Sequence, residues 1–473
     1  MRKKQPPVLV WFRGDLRLAD NPALDAAVAS GRPILPLYVL DDESPGAWRL
    51  GGASRWWLHG SLAALADALH QRGAELLLRR GATEEVVPAL MAETGAEEVH
   101  AGRMHEPWAR RVEAALGERL HLHRTATLFD PESIRTGSGG TYAMYSPFAR
   151  ACRARGGVPE PIPAPSHIEG ALLPRSDRLE SWELLPRHPD WAGGLRETWR
   201  PGEEAAQARL QKFVAGAIGE YKTGRNLPGQ PGTSMISAHL HWGEFSPRQV
   251  WHAVEAASGG EGGQSYLGEI LWREFAAYLL WHNPDMPDQP LRPAFAALPF
   301  RRSAPELRAW QRGQTGFPIV DAGMRQLWHT GWMHNRVRMI AASFLVKHLL
   351  IDWREGERWF WDTLVDADLA NNAASWQWVA GSGIDSQPFF RIFNPVTQGQ
   401  TWDPAGDYVR RWVPELARLP DRSLHAPWTA PADVLEQAGV ALGRTYPRPI
   451  VDLAASRKRA LDAYRSTVRK EAA

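Results

Sequence analysis

Val8-Leu9-Val10-Trp11-Phe12 runs into Arg13-Gly14-Asp15-Leu16-Arg17 and then Asn21-Pro22. Five consecutive apolar residues that stop at a charged turn read as a strand buried on both faces. Asn21 before Pro22 reads as a helix start: the amide caps orphan N–H groups, and proline is preset for the first turn. Outward from there the alternation repeats. Ile34–Leu40 is a second strand, residues 54–72 an amphipathic helix stopped by Gly73, and residues 76–78 a third strand. A helix over 83–93, a strand around Val99, a helix over 107–117 and a strand over 120–127 complete the rhythm. Strands separated by helices predict right-handed crossovers and a doubly wound parallel sheet, an α/β domain over residues 1–130. No G-x-G-x-x-G follows the first strand, so the usual dinucleotide fingerprint is excluded, and the fold alone assigns no ligand.

Residues 131–200 change character. Gly137-Ser138-Gly139-Gly140 and the prolines at 159, 161, 163 and 165 predict an extended interdomain linker. Residues 201–473 read as a larger all-α domain and hold 15 of the 23 tryptophans. A chain of 473 residues, 44% hydrophobic and 23% charged, fits two or three domains. Of its 55 basic residues 48 are arginine. Codon bias explains the abundance of Arg and Trp, and so would guanidiniums that grip phosphates and indoles that stack on planar ligands. With a net charge of +2, DNA binding would need a local basic patch. The single cysteine, Cys152, excludes an internal disulfide and a Cys-based zinc site, as in a reducing cytoplasm. Met1-Arg2-Lys3-Lys4 begins like a signal peptide, but the apolar stretch after it is too short. No apolar run approaches the ~18 residues of a membrane span. A cytoplasmic monomer with no membrane segment and no obligate protein partner is expected.

Four segments carry chemistry. Tyr221-Lys222-Thr223-Gly224-Arg225-Asn226 with Gly232-Thr233-Ser234-Met235-Ile236-Ser237 presents N–H and O–H donors suited to a phosphate, though such a stretch is more often a loop and cap. In Gly268-Glu269-Ile270-Leu271-Trp272-Arg273-Glu274-Phe275, Glu269, Trp272 and Arg273 share a helix face. A carboxylate beside an indole can hydrogen-bond a heterocycle that stacks on the ring, or simply form an ion pair. The third segment is Gly331-Trp332-Met333-His334-Asn335-Arg336-Val337-Arg338-Met339. The fourth, residues 366–378, packs two carboxylates, two asparagines and two tryptophans into 13 positions. No His or Cys cluster supports a metal at Asp366 and Asp368.

Trp11-Phe12-Arg13-x-Asp15-Leu16-Arg17, Trp272-Arg273-Glu274-Phe275, Gly331-Trp332-Met333-His334-Asn335 and Arg391-Ile392-Phe393-Asn394-Pro395 resemble the photolyase/cryptochrome family in order and spacing. The resemblance runs from about Val8 to Asp452. It implies an α/β antenna domain and a helical domain holding FAD. Tyr221, Thr233, Ser234, Met235, Ile236 and Ser237 would line the FAD phosphates and ribose, and Arg273, Asp366, Ala367 and Asp368 would also contact FAD. Asn372 would face flavin N5 and Arg338 would pair with Asp366, so that a cation and an amide donor stabilise the reduced anionic form. Photolyases are a standing example of base flipping, here of a pyrimidine dimer out of UV-damaged DNA, single- or double-stranded. Trp272 and Trp378 match positions that pack against the dimer, and Glu269 the carboxyl that bonds its base carbonyl. Asn335, Arg336 and Met339 match the pocket wall, while Arg225, Arg391 and Gln398 match groups near the DNA backbone. The implied reaction passes an electron from excited reduced FAD to the dimer and back, splitting the cyclobutane ring.

Within the family, 6-4 photoproduct repair uses two histidines where this chain has Asn335 and Met339. Plant cryptochromes have Asp, and animal ones Cys, at the position of Asn372, and only about twenty residues follow Ile450. These features point to a class I bacterial-type photolyase for cyclobutane pyrimidine dimers, with a cryptochrome photoreceptor as the rival. Trp376 and Trp353 match the inner members of the family's tryptophan relay, while its outer position falls on Phe300. Phenylalanine is much harder to oxidise, so photoreduction should be slower or rerouted through Trp310 or Trp359. Glu106-Pro107 replaces the Asn-Glu pair of folate-binding relatives, leaving a second, antenna chromophore of deazaflavin or folate type, or an empty site.

Overall fold

β1 (Val8–Phe12), β2 (Ile34–Leu40), β3 (Leu77–Arg80), β4 (Val99–Gly102) and β5 (Leu120–His123) form one parallel sheet in the order β3-β2-β1-β4-β5. This is seen in a computed structural model that describes residues 5–257, 260–386 and 388–466. Every residue of β1 and β2 is buried, as their unbroken apolar runs require. Order reverses at β1, which pairs with β2 on one side and β4 on the other. The helix Pro22–Ala29 starts where expected: the Asn21 side-chain Oδ1 accepts from the N–H groups of Ala23 and Leu24, at 3.1 and 3.2 Å. The last strand is shorter than the predicted 120–127. Its neighbour β4 stops at Gly102, and beyond His123 the carbonyls of Thr125 and Ala126 accept from Arg17 and Arg273 instead of a strand.

Arg17 explains why the first motif ends as it does. Fully buried, it donates to the carbonyls of Asp20, Thr125 and Gly243, at 2.7–3.2 Å. A guanidinium has enough donors to tie three separate backbone segments together. Glu274 acts as its counterpart on the long helix Gly260–His282, accepting from the N–H groups of Leu128 and Phe129 at 2.9 and 3.1 Å. Burial raises the Glu274 carboxyl to about 7. Residues 131–200 include a helix, Tyr145–Arg153, that buries Phe148, Ala149 and Cys152.

The backbone divides into two compact units. The first comprises the residues up to Gly219 together with Ser234–Pro284 and Val365–Ala370, and the second comprises Glu220–Thr233, Asp285–Leu364 and the residues from Asn371 onward. The α/β sheet belongs to the first. The second is helical, and three of its helices begin at side-chain caps. His334 Nδ1 accepts from Arg336 N (3.2 Å), Asp352 from Arg354 N (3.0 Å) and Asn394 from Val396 N (2.9 Å). The fold class is therefore the one expected, an α/β N-terminal part and a helical C-terminal part. Among the described residues no helix is long and apolar enough to cross a membrane.

Candidate functional site

In the first unit the hydroxyl-rich loop meets the carboxylate segment. Ser237 Oγ donates to Asp366 Oδ2 at 2.6 Å, and Tyr266 OH to Ser234 Oγ at 3.0 Å. Trp242 Nε1 donates to Val365 O at 3.1 Å, which fixes the strip carrying Asp366, Ala367 and Asp368. Met235 adopts a left-handed backbone (φ 51°), a sharp bend just before buried Ile236. Arg273 donates to Ala126 O (2.6 Å) and Leu240 O (3.4 Å). Around Asp368 lies a polar group of which the sequence singled out only Glu106. His241 Nδ1 is 3.9 Å away, burial first and then Arg273 hold His105 down to about 4, and burial with Asp368 raises Glu106. No periodicity links these residues in the sequence, so nothing there marked His105 or His241.

The Gly260–His282 helix bears Glu269, Trp272 and Arg273, as predicted. Trp272 is 36% exposed, and one face of its indole lies flat on Tyr145, 3.8 Å between centroids at 6°. Tyr145 OH donates to Gly268 O at 2.7 Å and locks that pair.

In the second unit a cationic face gathers on the Asn335–Ser343 helix. Arg336 donates to Asn226 Oδ1 at 2.5 Å, lies 4.0 Å from Met339 Sδ, and covers the Trp402 ring at 4.5 Å. Trp402 Nε1 in turn donates to Gln398 at 3.2 Å. Arg225 sits over the Tyr221 ring at 5.5 Å, and Arg338 donates to Met333 O at 2.7 Å. Burial, with the fields of Arg336, Arg338 and Arg225, holds His334 down to about 3, so it caps the helix as a neutral acceptor. Arg391 is exposed, and its carbonyl accepts from buried Lys347 at 2.8 Å. Asn335 is exposed, whereas Thr233 is half-buried. Asn226, which closes the first motif segment, and Trp402, unforeseen from sequence, are the residues that orient Arg336.

The Leu369–Ala380 helix turns Trp376 inward and leaves Trp378 half-buried, since residues two apart on a helix face nearly opposite ways. Trp376 lies 5.0 Å from Phe360 and 6.2 Å from Trp310, both edge-on. A Cβ at Gly356 would come within 2.1 Å of Trp376 Cη2, so only glycine admits this ring. Trp353 is buried with Arg354 over its face at 4.9 Å. Phe300 packs into the apolar cluster of Phe295, Leu298, Leu350, Phe389, Ala460 and Ala463. Trp310 is wholly buried, but Trp359 stacks on Trp328 at 5.9 Å and 7°, and Trp328 is 56% exposed. Asn372 donates to Glu357 O at 3.0 Å, which spends one amide N–H and leaves the carbonyl oxygen and the other N–H for a partner.

The donor set suits a flavin nucleotide. Hydroxyls of Ser234 and Ser237 fit phosphates, and carboxylates fit ribose and ring N–H groups. His241 has its Nδ1 near Asp368, and its buried Nε2 has no hydrogen-bond partner among the described residues, a position that a polar ligand group would satisfy.

Comparison with known proteins agrees. Residues 266–466 match the FAD binding domain of DNA photolyase, and residues 8–166 match DNA photolyase. A deoxyribodipyrimidine photo-lyase of Agrobacterium fabrum is 48% identical over 98% of both chains. Cryptochrome-1 of Arabidopsis thaliana is 37% identical over 98% of this chain but 71% of its own. Among solved structures, a bacterial class III photolyase from Agrobacterium tumefaciens superposes with a TM-score of 0.95 at 47% identity, over 99% of both chains.

Proposed function

This chain belongs to the DNA photolyase (photolyase/cryptochrome) family and carries its FAD-binding domain, and from that premise we propose that it repairs cyclobutane pyrimidine dimers in DNA under light. The observation that carries the reading is the likeness over 98% of both chains to a relative named for that reaction. The same kind of likeness to a class III structure favours class III over the class I expected from sequence.

Tyr221, Thr233, Ser234, Met235, Ile236, Ser237, Arg273, Arg338, Asp366, Ala367, Asp368 and Asn372 are the residues to hold FAD. When bound and reduced, FAD would supply the light-driven one-electron chemistry, with no net redox change. The chain's own side chains do the rest. Trp272 and Trp378 are the residues to pack against the dimer, and the Tyr145 stack keeps Trp272 from turning aside. Glu269 hydrogen-bonds a base carbonyl, stabilising negative charge that arrives there. Asn335 and Met339 shape the pocket without the two histidines of 6-4 repair. Arg225, Arg391 and Gln398 grip the backbone, where phosphate contacts supply affinity and position, and Arg336, expected in the pocket wall, adds its charge to that of Arg225. Trp353 and Trp376 relay electrons inward during photoactivation. A second chromophore of deazaflavin or folate type belongs to the same reading, as do a monomeric state and a cytoplasmic location. An absorption spectrum of gently purified protein identifies the chromophores.

Two oligonucleotides test the substrate. Reduced, illuminated protein should restore a thymine cyclobutane dimer and leave a 6-4 photoproduct unchanged. The reverse pattern would sink the assignment.

A further inference from the structure

Glu98 immediately precedes β4 and His100 is the second residue of the strand, two positions on, with their side chains close together. The register of β4 and β5 sets His100 opposite His121, and His123 follows two residues on, facing the same way. One ligand atom from each of Glu98, His100 and His121 lies within 4.8 Å of the others. His100 Nε2 is 3.8 Å from Glu98 Oε2, while Glu98 Oε1 is held by Arg32 at 3.2 Å. The opposite ring nitrogen, His100 Nδ1, is 2.9 Å from His123 Nε2. When His100 donates its Nδ1–H to His123, its Nε2 presents a lone pair to the space shared with Glu98 and His121. This is how metal-binding imidazoles are oriented, by a hydrogen bond on the far nitrogen.

We propose that Glu98, His100 and His121 bind one divalent transition-metal ion of the zinc class at the free edge of the sheet, with His123 positioning His100. Two imidazoles and a carboxylate select such ions over magnesium or calcium, which prefer all-oxygen sites. Exposed His121 leaves room for water as a further ligand. The ion would clip β5, a four-residue edge strand paired on one side alone, to β4. None of these four residues is among those assigned above to FAD or DNA.

The test uses untagged full-length protein titrated with Co2+ and then competed with Zn2+. One Co2+ per chain should bind with the visible absorption band of a four- or five-coordinate site, and Zn2+ should bleach that band. His121→Ala, a change at an exposed position, should abolish the band. His123→Ala should weaken affinity about 10- to 100-fold, as loss of an orienting partner does. Light-driven repair should be unchanged in both variants. Absence of the band in the parent protein, or equal affinity in parent and His121→Ala, would overturn the proposal.

Discussion

Around Ser237 and Asp366, side chains are held by hydrogen bonds to one another. Around Arg336, they are held by stacking and by one amide. In the first region the hydroxyl and the carboxylate meet at 2.6 Å, an arrangement fixed before any ligand arrives. In the second the guanidinium lies over Trp402 at 4.5 Å, which supports its plane, and one N–H is donated to Asn226. The first geometry suits a cofactor held for the life of the protein. The second suits a polyanion that comes and goes, with its charge kept ready at the surface.

Asp366→Asn attacks the first region most directly. It removes the charge from a hydrogen bond to Ser237, and such charge-assisted bonds are worth roughly 1.5–3 kcal/mol. FAD retention, read from the flavin absorbance of purified protein, should fall about tenfold or more. Arg336→Ala attacks the second. DNA affinity should drop by about tenfold, and the slope of log K against log salt should shrink by about one. Flavin content should stay unchanged, and if it too collapses the contrast between the regions fails.

Between them in effect is Gly356→Ala, whose new methyl group meets the Trp376 ring. Overpacking of this kind costs about 1–3 kcal/mol, measurable as a lowered thermal midpoint. His334 offers a pH test of the cationic face. Held down to about 3 in the folded protein, it titrates near ~6.5 when unfolded, so the unfolded chain binds more protons between those values. Its contribution is therefore complete above about pH 6.5 and is lost as pH falls towards 3, and His334→Asn should flatten that part of the acid-stability curve. Smallest is Trp359→Phe. It should slow photoreduction severalfold with repair by pre-reduced protein unaltered, whereas unchanged photoreduction would remove Trp359 from the route.

Much of the fold was legible because a sheet covered on both faces writes its strands as continuous apolar runs, as Val8–Phe12 and Ile34–Leu40 do. The end of β5 was not, because it depends on where β4 stops and on two arginines that claim the next carbonyls. Motif spacing marked Arg336 and Trp272, but not Trp402 or Tyr145, which orient them from far along the chain. The histidines at 100, 121 and 123 were visible individually, yet only the strand register makes them neighbours. Phe300 was noticed for what it lacks. Its place in an apolar cluster supplies the physical role of a packing residue, while Trp328 and Trp359 form a stacked pair that reaches solvent.

The most direct test of light-driven repair is the recovery of 260 nm absorbance of a thymine-dimer oligonucleotide bound in the dark to reduced protein and then exposed to blue light. Recovery that starts with the light, continues over many turnovers and is absent in the dark arm is the predicted result. Tight dark binding with no recovery on illumination would contradict it and would favour a photoreceptor.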